Sequence, residues 1–255
     1  MKRMVLAILA LTFVCSVALR AQSRNGNPVV ALLQQGKAVF GSMVSDKSEA
    51  AGARMAQDGN LDFVFYDMER TYDLPAMKAF LKGLSSTPNR KALLVRIPPI
   101  GTEPEKAEVR VAEILEAGAD GVVFPHIMNR KQVDLAVQWL GKSRRGVWPL
   151  HPAGEIVGYF MIEDRESVEQ AKDIVSAKGA TMFAPGQGSL GQAYGGDAKA
   201  VETAVQAILS SCKEFKAVCA KLATDADIEK RVTEGFRVLL ASGDALLKGR
   251  KLAGR

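Results

Sequence analysis

Asp62-Phe63-Val64-Phe65-Tyr66-Asp67-Met68-Glu69-Arg70-Thr71-Tyr72-Asp73 is the stretch on which the reading of the chain turns. Its apolar run, 63–66, ends abruptly in two carboxylates, Asp67 and Glu69, and a cation, Arg70. A short apolar run bounded by polar residues predicts a buried strand. Charges just past the carboxyl end of such a strand are where α/β proteins keep their chemistry, because the loop there holds polar groups that the core cannot. A solvated loop with an ordinary ion pair accounts for one such segment equally well. Recurrence along the chain separates the two.

Outward from this stretch the pattern does recur. Strands are predicted at 38–44, 63–66, 91–96, 122–125, 157–162, 180–184, 217–222 and 236–241. Helical segments fall between and after them, at 48–57, 74–84, 104–116, 130–140, 167–177, 198–215, 225–235 and 244–247. A polar leader precedes the first strand. The sixth strand opens into a loop with five glycines between Gly186 and Gly196. Eight strands alternating with helices over roughly 210 residues predict an α/β fold, a (β/α)8 TIM barrel. A doubly wound sheet is the alternative, but no glycine-rich phosphate turn follows the first strand.

The amino terminus reads differently. Met1-Lys2-Arg3 is basic, 4–18 is almost unbroken apolar sequence, and Leu19-Arg20-Ala21-Gln22-Ser23 offers small residues for cleavage. That is the layout of a secretory signal peptide, 1–22, on a single domain spanning 23–255. The run is short for a membrane span, so an exported chain with no membrane attachment after cleavage is expected. Losing Lys2, Arg3 and Arg20 lowers the basic count from 34 to 31 against 28 acids, and the net charge from +6 to +3. So mild a charge, without a basic run interleaved with aromatics, argues against nucleic acid. Of the three cysteines, Cys15 goes with the leader and Cys212 and Cys219 remain. On one continuous helix those two would stand about 10 Å apart, too far for a disulfide. If the helix ends between them a bridge is possible, and an exporting compartment allows it.

In a barrel all strand carboxyl ends share one face. The residues there are Asp67, Glu69 and Arg70, then Arg96, then Pro125 and His126, then Glu163, then Pro185-Gly186-Gln187-Gly188-Ser189. Carboxylates, two arginines, a histidine and a glycine loop suit a small anionic substrate, with a carboxylate as base or metal ligand. Lys221 is the one lysine near a strand end available for Schiff-base chemistry.

With these motifs in order, the chain resembles the HpcH/HpaI aldolase family, class II pyruvate aldolases of the phosphoenolpyruvate/pyruvate-binding barrel superfamily. The resemblance is carried by Asp67-x-Glu69, Val95-Arg96-x-Pro98, Gly118-Ala119-Asp120-Gly121 with Val123-Phe124-Pro125, Arg144-Arg145-Gly146, Ile162-Glu163 and Ala184-Pro185-Gly186-x-x-Ser189. It spans about 38–247. It implies a carbon–carbon lyase acting on a pyruvate-type 2-oxo acid, a divalent metal (Mg, Mn or Co) that stabilises the enolate, and a homo-oligomer. It further implies Glu163 as a metal ligand and Arg96 on the keto-acid oxygen. Asp67 and Glu69 match the acidic pair, and residues 186–189 match the loop that holds the carboxylate.

Three positions depart from the family pattern. Arg70 stands where the histidine base is expected, and a guanidinium takes no proton. Gln187 stands at the second metal ligand, where a neutral amide oxygen binds a hard cation less well than a carboxylate. Met161 replaces a glutamine. Two readings follow: a lyase with a rearranged base, for which His126 and His151 are the only histidines, or an altered barrel that binds a small carboxylate without aldol chemistry. Trp148 is expected near the site. The helix at 198–215 and the basic tail Lys248-Gly249-Arg250-Lys251 are read as solvated surface or subunit contacts.

Overall fold

The computed structural model describes residues 26–255; the signal segment 1–22 and Cys15 lie outside the described residues. Eight parallel strands form a closed barrel in chain order: β1 (Val39–Met43), β2 (Phe63–Asp67), β3 (Ala92–Arg96), β4 (Gly121–Phe124), β5 (Val157–Ile162), β6 (Met182–Pro185), β7 (Val218–Leu222) and β8 (Val238–Leu240). β1 pairs with both β2 and β8, so no edge remains. This is the (β/α)8 barrel expected. No described helix is long and apolar enough to cross a membrane.

The helices are α1 (Pro28–Gln34), α2 (Glu49–Gln57), α3 (Leu74–Leu84), α4 (Pro104–Glu116), α5 (Arg130–Gly141), α6 (Arg165–Glu169), α7 (Ala171–Val175), α8 (Gln187–Ala193), α9 (Ala198–Glu214), α10 (Ile228–Glu234) and α11 (Gly243–Leu252). Alternation along each strand sorts the core into two layers. Phe63, Phe65, Leu94, Val123, Tyr159 and Ala184 fill the barrel interior. Val64, Tyr66, Val95, Val122, Phe160 and Phe183 face the helices.

Two helices were not legible in the sequence. The polar leader holds α1, capped by Asn27, whose Oδ1 accepts the Val29 N–H at 2.9 Å. Its buried Val29, Val30 and Leu33 pack with the interior residues, closing the amino end of the barrel. The glycine loop after β6 winds into α8, which seven residues of ambiguous propensity did not announce. The helix expected over 167–177 is broken into α6 and α7 at Gln170.

The same amino end explains two motifs and corrects two expectations. Asp120, fully buried before β4, accepts from Arg90, from Arg145 Nη2 at 2.7 Å and from the Leu93 N–H at 2.9 Å. The Gly-Ala-Asp-Gly and Arg-Arg-Gly motifs therefore brace the floor. His151 lies exposed in the loop before β5, its N–H bonded to the Val147 carbonyl, on the face opposite the strand carboxyl ends. Trp148 lies in that loop too, where its carbonyl accepts from Thr181. Neither reaches the site, because residues preceding a strand lie at its amino end.

α9 stops at Glu214 and β7 starts at Val218, so the helix does end between the two cysteines. Cys212 and Cys219, with Cα atoms 5.9 Å apart, are disulfide-bonded. The basic tail is not simply solvated surface. Arg250 stacks over Phe40 at 5.9 Å and donates to the Asn60 carbonyl, and Arg255 Nη2 donates to Asp62 Oδ1 at 2.9 Å. α11 thus ties the carboxyl terminus to the start of β2, since Asp62 is buried and needs partners.

α2 and α3 cross closely at two glycines. A Cβ at Gly83 would collide with the Glu49 carbonyl oxygen, and one at Gly52 with that of Phe80. Backbone cannot step aside as a side chain can. Gly83→Ala is expected to lower stability by about 1–3 kcal/mol through overpacking, read as a lower urea midpoint, whereas Gly141→Ala, in open space, should leave the midpoint nearly unchanged.

Candidate active site

The parallel register sets Asp67 beside Arg96 across β2 and β3. Both side chains point inward, two residues beyond Phe65 and Leu94. Arg96 Nε donates to Asp67 Oδ1 at 2.8 Å and Nη2 to Oδ2 at 2.5 Å, while Nη2 lies 3.0 Å from Glu69 Oε2. The guanidinium rests 5.5 Å over the Phe65 ring, and Nη1 meets the Met161 sulfur at 3.8 Å. Burial pushes the Asp67 carboxyl up, but the Arg96 hydrogen bonds and the Glu69 N–H outweigh it and hold it below the usual carboxylate range. Burial likewise opposes the Arg96 charge, and the same pairing overcomes it.

The second group gathers at β4 and β5. Glu163 is nearly fully buried, and its Oε1 accepts the His126 N–H at 2.9 Å. Strand alternation would aim His126 outward, with Phe124. Instead its backbone turns left-handed, φ +50°, an arrangement unfavourable for a residue with a Cβ. The turn brings the imidazole against Glu69 and Glu163: Nε2 lies 3.5 Å from Glu69 Oε1 and 3.8 Å from Glu163 Oε1. Nδ1 lies 3.1 Å from Asp164 Oδ2. The Glu69 contact, against the opposing effect of burial and with help from Glu163 and Asp164, pushes the His126 pKa up to about 9.

The third group is the 185–189 stretch. Gly186 stands where a Cβ would collide with the Glu163 carboxylate. Pro185, Gly186, Gln187, Gly188 and Ser189 line one wall of a cavity of about 290 Å³, with Glu69, Arg70, Arg96 and Glu163 around the rest and Phe65 and Tyr159 beneath. Arg70 is exposed. Gln187, however, gives its Oε1 to the ammonium of Lys221. Lys221 is fully buried on the helix side of β7 and also donates to the Leu222 carbonyl at 2.8 Å. Burial, with the Arg231 charge, depresses its pKa to about 8. It is not part of the cavity lining, so it offers no Schiff-base nucleophile to a ligand there.

The site therefore unites Glu69, Arg70, Arg96, Glu163 and 185–189 around the cavity, with Asp67 bonded to Arg96 and His126 against the two glutamates. Sequence reasoning missed Asp164, although Glu163-Asp164 repeats the paired acids seen after β2. It also missed Lys47, which donates to the Asp67 carbonyl at 2.6 Å from the loop after β1 and carried no signal. Glu69, His126 and Glu163 each offer one ligand atom, all within 4.8 Å of one another. Two carboxylates and an imidazole suit a divalent cation, so the residues present fit the metal expected for this fold.

A closed barrel with carboxylates, an arginine and a histidine gathered at its strand carboxyl ends defines an α/β-barrel protein with a polar site on that face. The chain belongs to the HpcH/HpaI aldolase/citrate lyase family, whose sequence model matches residues 46–243. A curated relative, 4-hydroxy-4-methyl-2-oxoglutarate aldolase tasA from Hapsidospora irregularis, is 24% identical over 185 residues, 62% of this chain and 66% of its own length. The chain thus spans slightly under two thirds of that protein. Among solved structures, an HpcH/HpaI aldolase/citrate lyase family protein from Burkholderia cenocepacia J2315 superposes with a TM-score of 0.72 at 20% identity, over 89% of this chain and 97% of that one. Protein CitE from Mycobacterium tuberculosis, in complex with magnesium and acetate, gives 0.62 at 16% identity, over 87% and 92%. At these identities the superpositions show the fold alone.

Two outcomes follow from the geometry. Gly186→Ala should displace the Glu163 carboxylate and weaken Mn2+ binding about tenfold or more, as disruption around a ligand does, with the barrel intact by circular dichroism; unchanged binding would count against the packing described. In the ion-free protein, the His126 ring resonances should titrate near pH 9. Because Glu69 is the main cause, Glu69→Gln should shift that midpoint downward, which proton NMR of the two histidines can follow.

Proposed function

We propose that the protein is a carbon–carbon lyase of the aldolase type acting on a small 2-oxo acid such as pyruvate or oxaloacetate. The observation that carries this reading is the Arg96 guanidinium, pinned by Asp67 and Glu69 beside Glu163 in one cavity. Its fork is set before any ligand arrives, so little ordering is lost on binding. A divalent ion on the glutamates would supply Lewis-acid stabilisation of the negative charge that develops on the keto oxygen. Family membership and the curated aldolase relative support lyase chemistry; the magnesium and acetate bound by the CitE structure support the ion and the carboxylate.

The chain's own residues divide the remaining work. Arg96 holds the keto-acid oxygen. The first turn of α8 offers Gln187, Gly188 and Ser189 N–H groups without intrahelical acceptors to the carboxylate. Arg70, exposed at the rim, attracts anions and takes no proton. Phe65 and Tyr159 line the base of the cavity. Export into an oxidising compartment is part of the proposal, supported by the basic-apolar layout of 1–22 and by the Cys212–Cys219 bond. So is a homo-oligomer, for which the resemblance is the support; size-exclusion chromatography with light scattering tests it.

Exchange of the methyl protons of pyruvate in heavy water, with and without Mg2+, Mn2+ or Co2+, tests the chemistry. Ion-dependent exchange is expected, lost in Glu163→Ala and lowered about 10²-fold in Arg96→Lys, which keeps the charge and loses the fork. No exchange of pyruvate or oxaloacetate with any of the three ions would remove the lyase reading. A thermal shift with the same acids would then test a barrel that only binds small carboxylates.

A further inference from the structure

Gln187 and His126 take roles other than those the sequence alone gives them. The Gln187 amide has one acceptor atom, and an ammonium has only donors to offer. Because Lys221 is fully buried and directs Nζ at Gln187 Oε1, that oxygen already faces one cation, which disfavours a second. What Gln187 has left is an NH2 group, which repels a cation. On the other side of the cavity, His126 presents Nε2 to Glu69 and Glu163, while Nδ1 faces the Asp164 carboxylate. A ligating histidine is nearly always held by a carboxylate or carbonyl on its second nitrogen, which fixes the tautomer with the lone pair on the first. Asp164 is itself fixed as the cap of α6, within a reciprocal box with Ser167.

We propose that this chain holds its divalent ion with Glu69, His126 and Glu163, that Asp164 is the positioning residue for His126, and that Gln187 is not a ligand. The inference rests on the ion assigned to this site above and deepens it, because the ligand set decides which ion. A hard oxygen set suits Mg2+, which seldom takes nitrogen, whereas an imidazole among the ligands shifts preference toward first-row transition ions, Co2+ above Mn2+. The left-handed backbone at His126 is compatible with this role, since without it the ring would point toward the helices. Arg96 and 185–189 line the same cavity as the two glutamates, leaving room for a keto acid beside the ion.

Titration calorimetry of the purified chain with MgCl2, MnCl2 and CoCl2 separates the two ligand sets. Mn2+ and Co2+ should bind at least tenfold more tightly than Mg2+. His126→Gln should erase that preference, Asp164→Asn should weaken Co2+ roughly tenfold, and Gln187→Ala should change neither ion. Mn2+ bound to the unsubstituted protein should show nitrogen modulation in its electron spin echo, a readout that needs no variant to fold. Absence of that modulation, equal affinity for Mg2+ and Co2+, or loss of binding in Gln187→Ala would overturn the proposal. None of these measurements reads turnover. A protein that binds ions in this way but exchanges no pyruvate protons would keep this inference and lose the lyase reading.

Discussion

A guanidinium that never loses its charge stands at the mouth of a closed barrel, its side chain only 14% exposed. Such a group is tolerable only with carboxylates fixed around it. The β2–β3 register supplies the first, because Asp67 and Arg96 are direct neighbours across the pair. Glu69 supplies the second from the turn beyond β2. Much of the site follows from that pairing. With Oε2 of Glu69 engaged by Arg96, Oε1 is the atom left to face His126. His126 in turn gives its N–H to Glu163 and its Nδ1 side to Asp164. One ion pair thus orients acids from two strands toward a common point.

The two ends of the barrel use the same residue types for different ends. At the amino end Asp120 is fully buried and saturated by Arg90, Arg145 and the Leu93 N–H. α1 lies nearby, with Asn27 donating to the Asp120 and Glu155 carbonyls. The cavity that Arg145 borders with Trp139 and Lys142 does not reach Asp120, and the cluster holds loops together. At the carboxyl end Glu163 is equally buried, yet it lines a cavity with Arg96. The difference is access, not composition.

The wall opposite Arg96 rests on a glycine and a hidden lysine. Gly186 has no Cβ because the Glu163 carboxylate occupies that space. Immediately after it, Gln187 opens α8 and is tethered from beneath by Lys221. A buried ammonium with a depressed pKa in a barrel invites a Schiff-base reading. Its position on the helix side of β7 gives it another task, anchoring a glutamine that lines the cavity.

Local sequence determined the eight strands, most of the intervening helices and the identity of the polar residues at the strand ends, because period-two and helical patterns are properties of neighbouring residues. It also placed Arg96, Glu163 and 185–189 on one face, since a barrel has a single carboxyl-end rim. It did not show α1, whose short apolar run acquires meaning only against the barrel floor, nor α8, whose glycines read as a loop. His151 and His126 looked equivalent as candidate bases; only the fold puts one on each end of the barrel. The choice of Lys221 as partner for Gln187, and of Asp164 for His126, was likewise beyond the sequence, since each joins positions brought together from separate strands and loops. Which atom of a side chain remains free depends on what the rest of the chain has already bonded to it, and that is decided only when the barrel closes.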